Sequence, residues 1–174
     1  MNLFLLSTDH EENAKWHCDK HVVKMVLELV QMLYTCWQIN SGDSLPRCAP
    51  LCKSSGQRGY KKISNPKHPM AVWVRASRKN YMFTVKLAAA LALEYRFRYD
   101  RDHGCANHVV WLALHVPIYF PEKGLGPVPQ CMPDEYKVPG DTVQAYRNYY
   151  VGEKSRFAAW SKKDRMAPDW FIIT

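Results

Sequence analysis

The segment from His17 to Trp37, HCDKHVVKMVLELVQMLYTCW, decides how the rest of this chain is expected to fold. At 3.6 residues per turn, its apolar side chains cover most of the circumference of a helix. They are Val22, Val23, Met25, Val26, Leu27, Leu29, Val30, Met32, Leu33, Cys36 and Trp37. A helix that is apolar on so many sides belongs in the middle of a domain rather than at its rim. We therefore predict a buried central helix.

One narrow polar stripe interrupts this apolar helix. His17, His21, Lys24, Glu28 and Gln31 recur every three or four residues, which stacks them along one line of a helix. Ionisable groups cost free energy when they are buried, unless they are paired, hydrated or used. The stripe is therefore either the wall of a cleft or the one solvated face of a buried helix. Two histidines, a lysine and a carboxylate are residues suited to proton transfer, which favours the cleft.

The composition favours a single globular domain with a polyanionic partner. The chain has 174 residues, of which 47% are hydrophobic and 13% aromatic, so we expect one domain over 1–174 with a substantial core. Its net charge of +8 favours nucleic acid as the first candidate partner and an anionic membrane surface as the second. A globular protein that is basic for no functional reason is the remaining alternative.

Targeting and metal signals are weak. No apolar run approaches the roughly 20 residues needed to cross a bilayer, and the opening NLFLLS lacks the features of a signal peptide. We therefore expect a cytoplasmic protein with reduced cysteines, no membrane association and no cofactor. Cys48 and Cys52 form a close pair without a second pair, and His17 and His21 lack the glutamate of an HExxH motif. Zinc is thus a less favoured alternative, and no metal site is predicted.

The rest of the chain predicts helices separated by long loops. The central helix should begin between Asp9 and Asn13 and run to about Gln38, after an extended segment at the N-terminus. Residues 40–66 contain glycines, prolines and five cations, which predicts a basic loop. A second helix should follow Pro69 and continue without a break to about Tyr99.

The C-terminal half follows the same pattern. A short third helix is predicted over 106–115, and the proline-rich segment 117–139 should be an irregular connector. Asp141 or Thr142 should cap a last helix that reaches Trp160, before an aromatic tail over 161–174. The fold class is therefore mainly α: a single-domain helical bundle around a buried central helix, with long basic and Pro-rich loops.

Cations and aromatic residues outside the central stripe are candidates for nucleic-acid contacts. Cations fix a phosphate backbone, while aromatic rings stack on bases or wedge between them. The candidate residues are Lys20, Lys61, Lys62, His68, Arg75, Arg78, Lys79, Arg147, Lys154 and Trp170. For each cation the alternative is plain solvation, and for the tail aromatics it is core packing.

The chain resembles the small phage pyrimidine-dimer DNA glycosylase/AP-lyase family over about two thirds of its length. The similarity lies in the extended Asn2–Ser7, in the cluster of Asp19, Lys20, His21 and Lys24, in ISNPKHPMAVWV at the start of the second helix, and in the terminal PDWF. The phrases CDKHVVKM, MPDEYK and YRNYYVGEKS also resemble uncharacterised phage-encoded proteins, which would place the protein in the cytoplasm of the host cell.

The resemblance implies a bent duplex, a flipped base and attack on the sugar by the N-terminal amine, here that of Met1. It also implies a catalytic acid on the central helix. If the basic residues are superposed as Lys20 and Lys24, that position is His21. It becomes Asp19 only with a shift, and Glu28 lies two turns later on the stripe.

Together these features predict a DNA glycosylase, with possible AP-lyase activity, acting on duplex DNA with a damaged or modified base. The candidate catalytic residues are His21, Glu28, Lys24, His17, Met1 and Asp19, and no obligate protein partner is inferred. The alternatives are a non-catalytic nucleic-acid-binding accessory protein and an enzyme acting on free nucleotides.

Overall fold

Helices dominate the computed structural model, which describes residues 2–42 and 44–172. In these residues the helices are α1 (His10–Trp16), α2 (Asp19–Ser41), α3 (Pro69–Ala76), α4 (Arg78–Tyr99), α5 (Ala106–Leu114) and α6 (Thr142–Lys154), with a 3₁₀ turn over Asp134–Tyr136. The same residues contain two isolated β-bridges and no sheet. The predicted mainly α class is confirmed.

The central helix α2 organises the core, as its composition predicts. It packs against α3, α4 and α5, and Met25, Leu29 and Leu33 on it are almost completely buried. The extended N-terminal segment enters the same core through Leu3 and Leu6. Because α2 has apolar neighbours on several sides, its hydrophobic residues are not confined to one face of the helix.

The length and apolar composition of α2 would also suit a membrane-spanning helix. Within its 23 residues, an 18-residue window reaches a mean hydropathy of 1.2, contrary to the sequence-based expectation that no segment approaches a membrane span. More than half of that window is buried inside the domain. The core helix of a globular domain has the same composition, because both environments exclude water.

The sequence predicted one helix that begins between Asp9 and Asn13 and runs to about Gln38. This prediction is wrong, because the segment forms two helices, α1 and α2. The chain breaks at His17 and Cys18, which are both extended, between α1 and α2. The Cys18 amide donates to the Tyr150 hydroxyl at 2.9 Å and the Asp19 amide donates to the Ala159 carbonyl at 2.8 Å. Tertiary hydrogen bonds therefore replace the helical ones at this point.

The second predicted helix is also divided. Ser77 is extended between α3 and α4, its hydroxyl accepts a hydrogen bond from the Asn80 amide, and it forms a bridge with Glu122. The last helix ends at Lys154 rather than at Trp160, although Asp141 caps its start as predicted. The loop between α2 and α3, the irregular connector after α5 and the Pro69 start of α3 agree with the sequence-based expectations.

Candidate functional site

A cavity of about 420 Å³ lies along one face of α2, and we call it the α2 cavity. The helix contributes His21, Lys24, Met25 and Glu28, which are brought onto one face by their spacing. The other walls come from the N-terminal segment, the start of α3, the connector and the end of α6, through Asn2, Phe4, His68, Cys131, Tyr149, Lys154, Arg156 and Phe157. The middle of the polar stripe is therefore the wall of a cleft.

Glu28 is held at one end of the α2 cavity, with its side chain only 12% exposed. Its Oε2 accepts a hydrogen bond from the backbone N–H of Asn2 at 2.8 Å, and its Oε1 lies 3.1 Å from Lys24 Nζ. Asn2 is itself fixed, because its side-chain amide donates to the Cys131 carbonyl and its Oδ1 accepts from the Tyr146 hydroxyl. The carboxylate therefore has a defined position beside the N-terminal segment.

His21 is almost completely buried in an aromatic environment, with 6% of its surface exposed. Its ring stacks on Phe4 at a centroid distance of 4.7 Å, and the rings of Tyr150 and Phe157 approach it edge-on. Burial, followed by the charges of neighbouring groups, lowers its pKa to about 3. His21 is therefore neutral at pH 7, which makes it a hydrogen-bonding group rather than a charge carrier.

At the other end of the α2 cavity, Lys154 and Arg156 line the wall, and Lys20 lies next to the lining residue Phe157. Lys154 Nζ donates to the Tyr149 hydroxyl at 3.1 Å and lies 4.3 Å from the centroid of the Tyr149 ring. Arg156 and Lys20 both lie over the Phe157 ring, at 5.9 and 5.3 Å. Within 2–42 and 44–172, no carboxylate forms an ion pair with any of these three cations. This end of the cavity is therefore strongly positive.

His17 does not share the cavity, which corrects the prediction of one continuous stripe. Its side chain is completely buried, and its Nδ1 lies 2.7 Å from the Asn13 carbonyl. Burial lowers its pKa to about 4. At the other end of the stripe, Gln31 lines a separate cavity of about 490 Å³ together with Lys61 and Lys62.

Asp19 also lies outside the α2 cavity. Its carboxylate pairs with the buried guanidinium of Arg98 at 2.9 Å and accepts hydrogen bonds from the amide and hydroxyl of Ser161. The carboxylate is therefore fully engaged in joining α2 to α4 and to the tail. Met1, the remaining candidate catalytic residue, lies outside the described residues.

The candidate nucleic-acid residues fall into two groups. Lys20, Lys61, Lys62, Arg78 and Lys79 are exposed, and Lys154 lines the α2 cavity. His68 also lines it, while its Nδ1 accepts a hydrogen bond from the Met70 amide at the start of α3. The residues of this group therefore lie at the surface or at the wall of the cavity.

The second group has internal roles. Arg75 donates to the Pro66 carbonyl, and Arg147 donates to the Leu6 carbonyl at 3.0 Å. The Arg147 guanidinium also lies over the rings of Trp16 and Trp170, at 4.8 and 5.5 Å. Trp170 packs edge-on against Trp16 and Tyr150. Core packing, the alternative interpretation of the aromatic tail, therefore describes Trp170.

Sequence reasoning missed Phe4, Tyr149, Arg156 and Phe157, which complete the α2 cavity. The pattern of apolar residues marks Phe4 as core, and nothing in the sequence indicates that its ring forms a cavity wall. Arg156 and Phe157 follow the end of α6, where a continued helix was predicted. The early end of α6 is therefore what turns these side chains toward the cavity.

The described residues contain no group of three or more His, Cys, Asp or Glu side chains that could hold a metal ion. Searches of protein-family models, curated proteins and solved structures find no match for this chain.

Proposed function

We propose that this protein is a DNA-acting enzyme of the glycosylase type, which cleaves the bond between a damaged or modified base and its sugar. The observation that carries the proposal is that one cavity combines Glu28, a neutral His21 and two cations, Lys154 and Arg156, that have no carboxylate partner within the described part of the chain. Its volume of about 420 Å³ falls within the roughly 300–1,000 Å³ of small-molecule sites, which leaves room for a flipped nucleotide.

In this proposal Glu28 performs the proton chemistry. It accepts a proton from a water whose oxygen bonds to C1′ of the sugar, and the C1′–N bond breaks with its electron pair leaving on the base, which is then protonated. A carboxylate at this place also stabilises positive charge that develops on the sugar. His21, being neutral, offers a hydrogen bond to the base or sugar without repelling the cations around it.

A lyase version adds a covalent step at an N-terminal amine. An α-amine has a pKa of about 7.7–8.0, so a useful fraction is unprotonated at neutral pH. The backbone N–H of Asn2 donates to Glu28 Oε2 at 2.8 Å, so the N-terminal segment runs next to the proposed acid. The amine would lose a proton and bond to C1′ while the C1′–N bond to the base breaks, and opening of the C1′–O4′ bond would then give the imine. Loss of a C2′ proton would expel the 3′-phosphate by β-elimination.

The test is turnover of duplex oligonucleotides that carry ultraviolet photoproducts, alkylated bases or abasic sites. Glu28→Gln should lower turnover about 10²- to 10⁴-fold, because the amide cannot accept the proton. Glu135→Gln, at an exposed position, is the matched control and should be unchanged. Borohydride should trap an adduct on the N-terminal peptide only in the lyase version. Absence of turnover on every substrate would reject the enzyme proposal.

The cations around Lys154 favour one alternative, a non-catalytic nucleic-acid-binding protein. Such a protein would need the positive end of the cavity and no chemistry at Glu28. DNA binding that is unaffected by His21→Ala and Glu28→Ala, without turnover, would support it. An enzyme acting on free nucleotides would instead bind mononucleotides without the steep salt dependence that many released counterions give to duplex binding.

A further inference from the structure

We infer that the positive end of the α2 cavity is a phosphate subsite, which binds the phosphodiester next to the nucleotide whose sugar faces Glu28. This inference rests on the proposed function and adds to it the part of the substrate that the second half of the cavity recognises. Lys154 and Arg156 are the residues that define the subsite.

The first argument is the uneven distribution of charge within the cavity. Lys24 is paired with Glu28 at 3.1 Å, so the charges at that end largely offset each other. Lys154 and Arg156 have aromatic and hydroxyl neighbours but no carboxylate partner among residues 2–42 and 44–172. Two cations that converge on a partly enclosed space, without a protein anion, favour an anionic ligand.

The second argument is that the Lys154 ammonium is held in place before any ligand binds. It donates to the Tyr149 hydroxyl and lies within cation–π distance of the Tyr149 ring, with Phe4 further away at 6.0 Å. The Phe4 and Tyr149 rings are themselves nearly parallel, at 12°. A positioned ammonium loses less side-chain entropy on binding than a free one, which strengthens its contact with a phosphate.

The third argument is the turn that follows α6. The Lys154 carbonyl accepts hydrogen bonds from the amides of Phe157 and Ala158, at 3.0 and 2.8 Å. This turn keeps Lys154, Arg156 and Phe157 together at the cavity instead of spreading them around a continuing helix. The side chain of Arg156 is then exposed at the rim, where its planar guanidinium can bind a phosphate through two donors.

The fourth argument is that the side chain next to these cations carries no charge of its own. His21 is more than nine-tenths buried and lines the cavity, while its Nδ1 has almost no accessible surface and no hydrogen-bond partner among the described residues. Because the buried ring is neutral at pH 7, the positive charge at this end of the cavity comes from Lys154 and Arg156.

The experiment places a neutral methylphosphonate at each phosphate flanking the target nucleotide in turn, in the same duplex. Binding is measured by fluorescence anisotropy and turnover by product formation, for the wild type, Lys154→Gln and Arg156→Gln. At one position the neutral linkage should weaken wild-type binding roughly tenfold to a hundredfold, the range for a hydrogen bond between charged groups. The two variants should bind the natural duplex more weakly than the wild type does. The neutral linkage should reduce their affinity little further, because the cation that contacts this phosphate is already missing.

Lys123→Gln, at an exposed position in the connector, is the matched control and should respond to the methylphosphonate as the wild type does. If the neutral linkage lowered the affinity of the wild type and of both variants by the same factor, the subsite would be overturned, even with normal turnover of the natural duplex. Normal position-specific binding with no turnover would instead reject the enzyme proposal and retain the subsite. Thermal melting of each variant checks that the fold is intact.

Discussion

At the scale of single residues, burial determines what the two stripe histidines can do. His17 and His21 are both on the predicted stripe, yet the first is enclosed in the core and the second lies at a cavity wall. Burial lowers both pKa values well below the ordinary 6.5, to about 4 and about 3. Both residues are therefore neutral where the protein is folded at pH 7.

These lowered pKa values predict acid sensitivity. Between about pH 6.5 and pH 4 the unfolded chain binds protons that the folded chain does not, so the free energy of unfolding falls as the pH is lowered. Above pH 6.5 both states are neutral at these two residues, and they make no further contribution. His21 alone should account for a loss of about 3 kcal/mol by pH 4.

The variant His21→Phe isolates this effect. Phenylalanine has a similar shape, suits the rings of Phe4, Tyr150 and Phe157, and removes the unpartnered Nδ1. Urea unfolding should show equal or slightly higher stability than the wild type at pH 7–8, and an increasing advantage toward pH 4. A stability difference that does not change with pH would contradict the prediction. DNA affinity should decrease if His21 contacts the ligand as proposed.

At the scale of elements, caps and turns decide where the helices end. The break between α3 and α4 depends on Ser77, whose hydroxyl accepts from the Asn80 amide at 3.1 Å and donates to the Gly124 carbonyl. Serine is among the preferred N-cap residues. Ser77 is therefore a local signal for the break. The prediction was one unbroken helix to about Tyr99, because no proline or glycine lies between Met70 and Tyr99.

Ser77→Ala should lower the free energy of unfolding by about 1–2 kcal/mol, because it removes the cap of α4 and leaves the Gly124 carbonyl without its buried donor. Chemical denaturation measures the change directly. Ser64→Ala replaces an exposed loop serine and should alter stability by less than about 0.5 kcal/mol. Equal stability of the two variants would mean that the helix break does not depend on this hydroxyl.

At the scale of the whole molecule, one buried ion network connects distant parts of the chain. The side chain of Arg98 is fully buried and contacts Asp19 at 2.9 Å and Glu94 at 2.7 Å. It also donates to the carbonyls of Lys15 and His17, while Arg165 in the tail pairs with Glu94. The network thus fixes the junction between α1 and α2, and with it the start of the helix that carries the cavity residues.

Arg98→Leu should destabilise the protein by about 3–5 kcal/mol, because it leaves two buried carboxylates with fewer partners. The exposed neighbour Arg96 pairs only loosely with Asp102, at 3.7 Å, so Arg96→Leu should cost less than about 1 kcal/mol. Urea unfolding of the two variants at pH 7 gives the comparison. A small effect of Arg98→Leu would show that the network is replaceable by apolar packing.

The sequence by itself determined the fold class and the middle of the candidate site. A helix apolar on most sides must be central, and the spacing of His21, Lys24 and Glu28 must place them on one face, because both follow from helical geometry. Local signals also located the start of α3 at Pro69, and they limited the cap of α6 to Asp141 or Thr142, of which Asp141 is the cap.

Only the tertiary structure decided which polar residues share a space. Asp19 carries the same charge as Glu28, but it is paired with Arg98. Arg147 carries the same charge as Lys154, but its guanidinium contacts the Leu6 carbonyl and two tryptophan rings. The cavity also requires Phe4 and Arg156, which lie more than 150 residues apart along the chain. Such proximity depends on long-range packing, which residue spacing along a single helix does not encode.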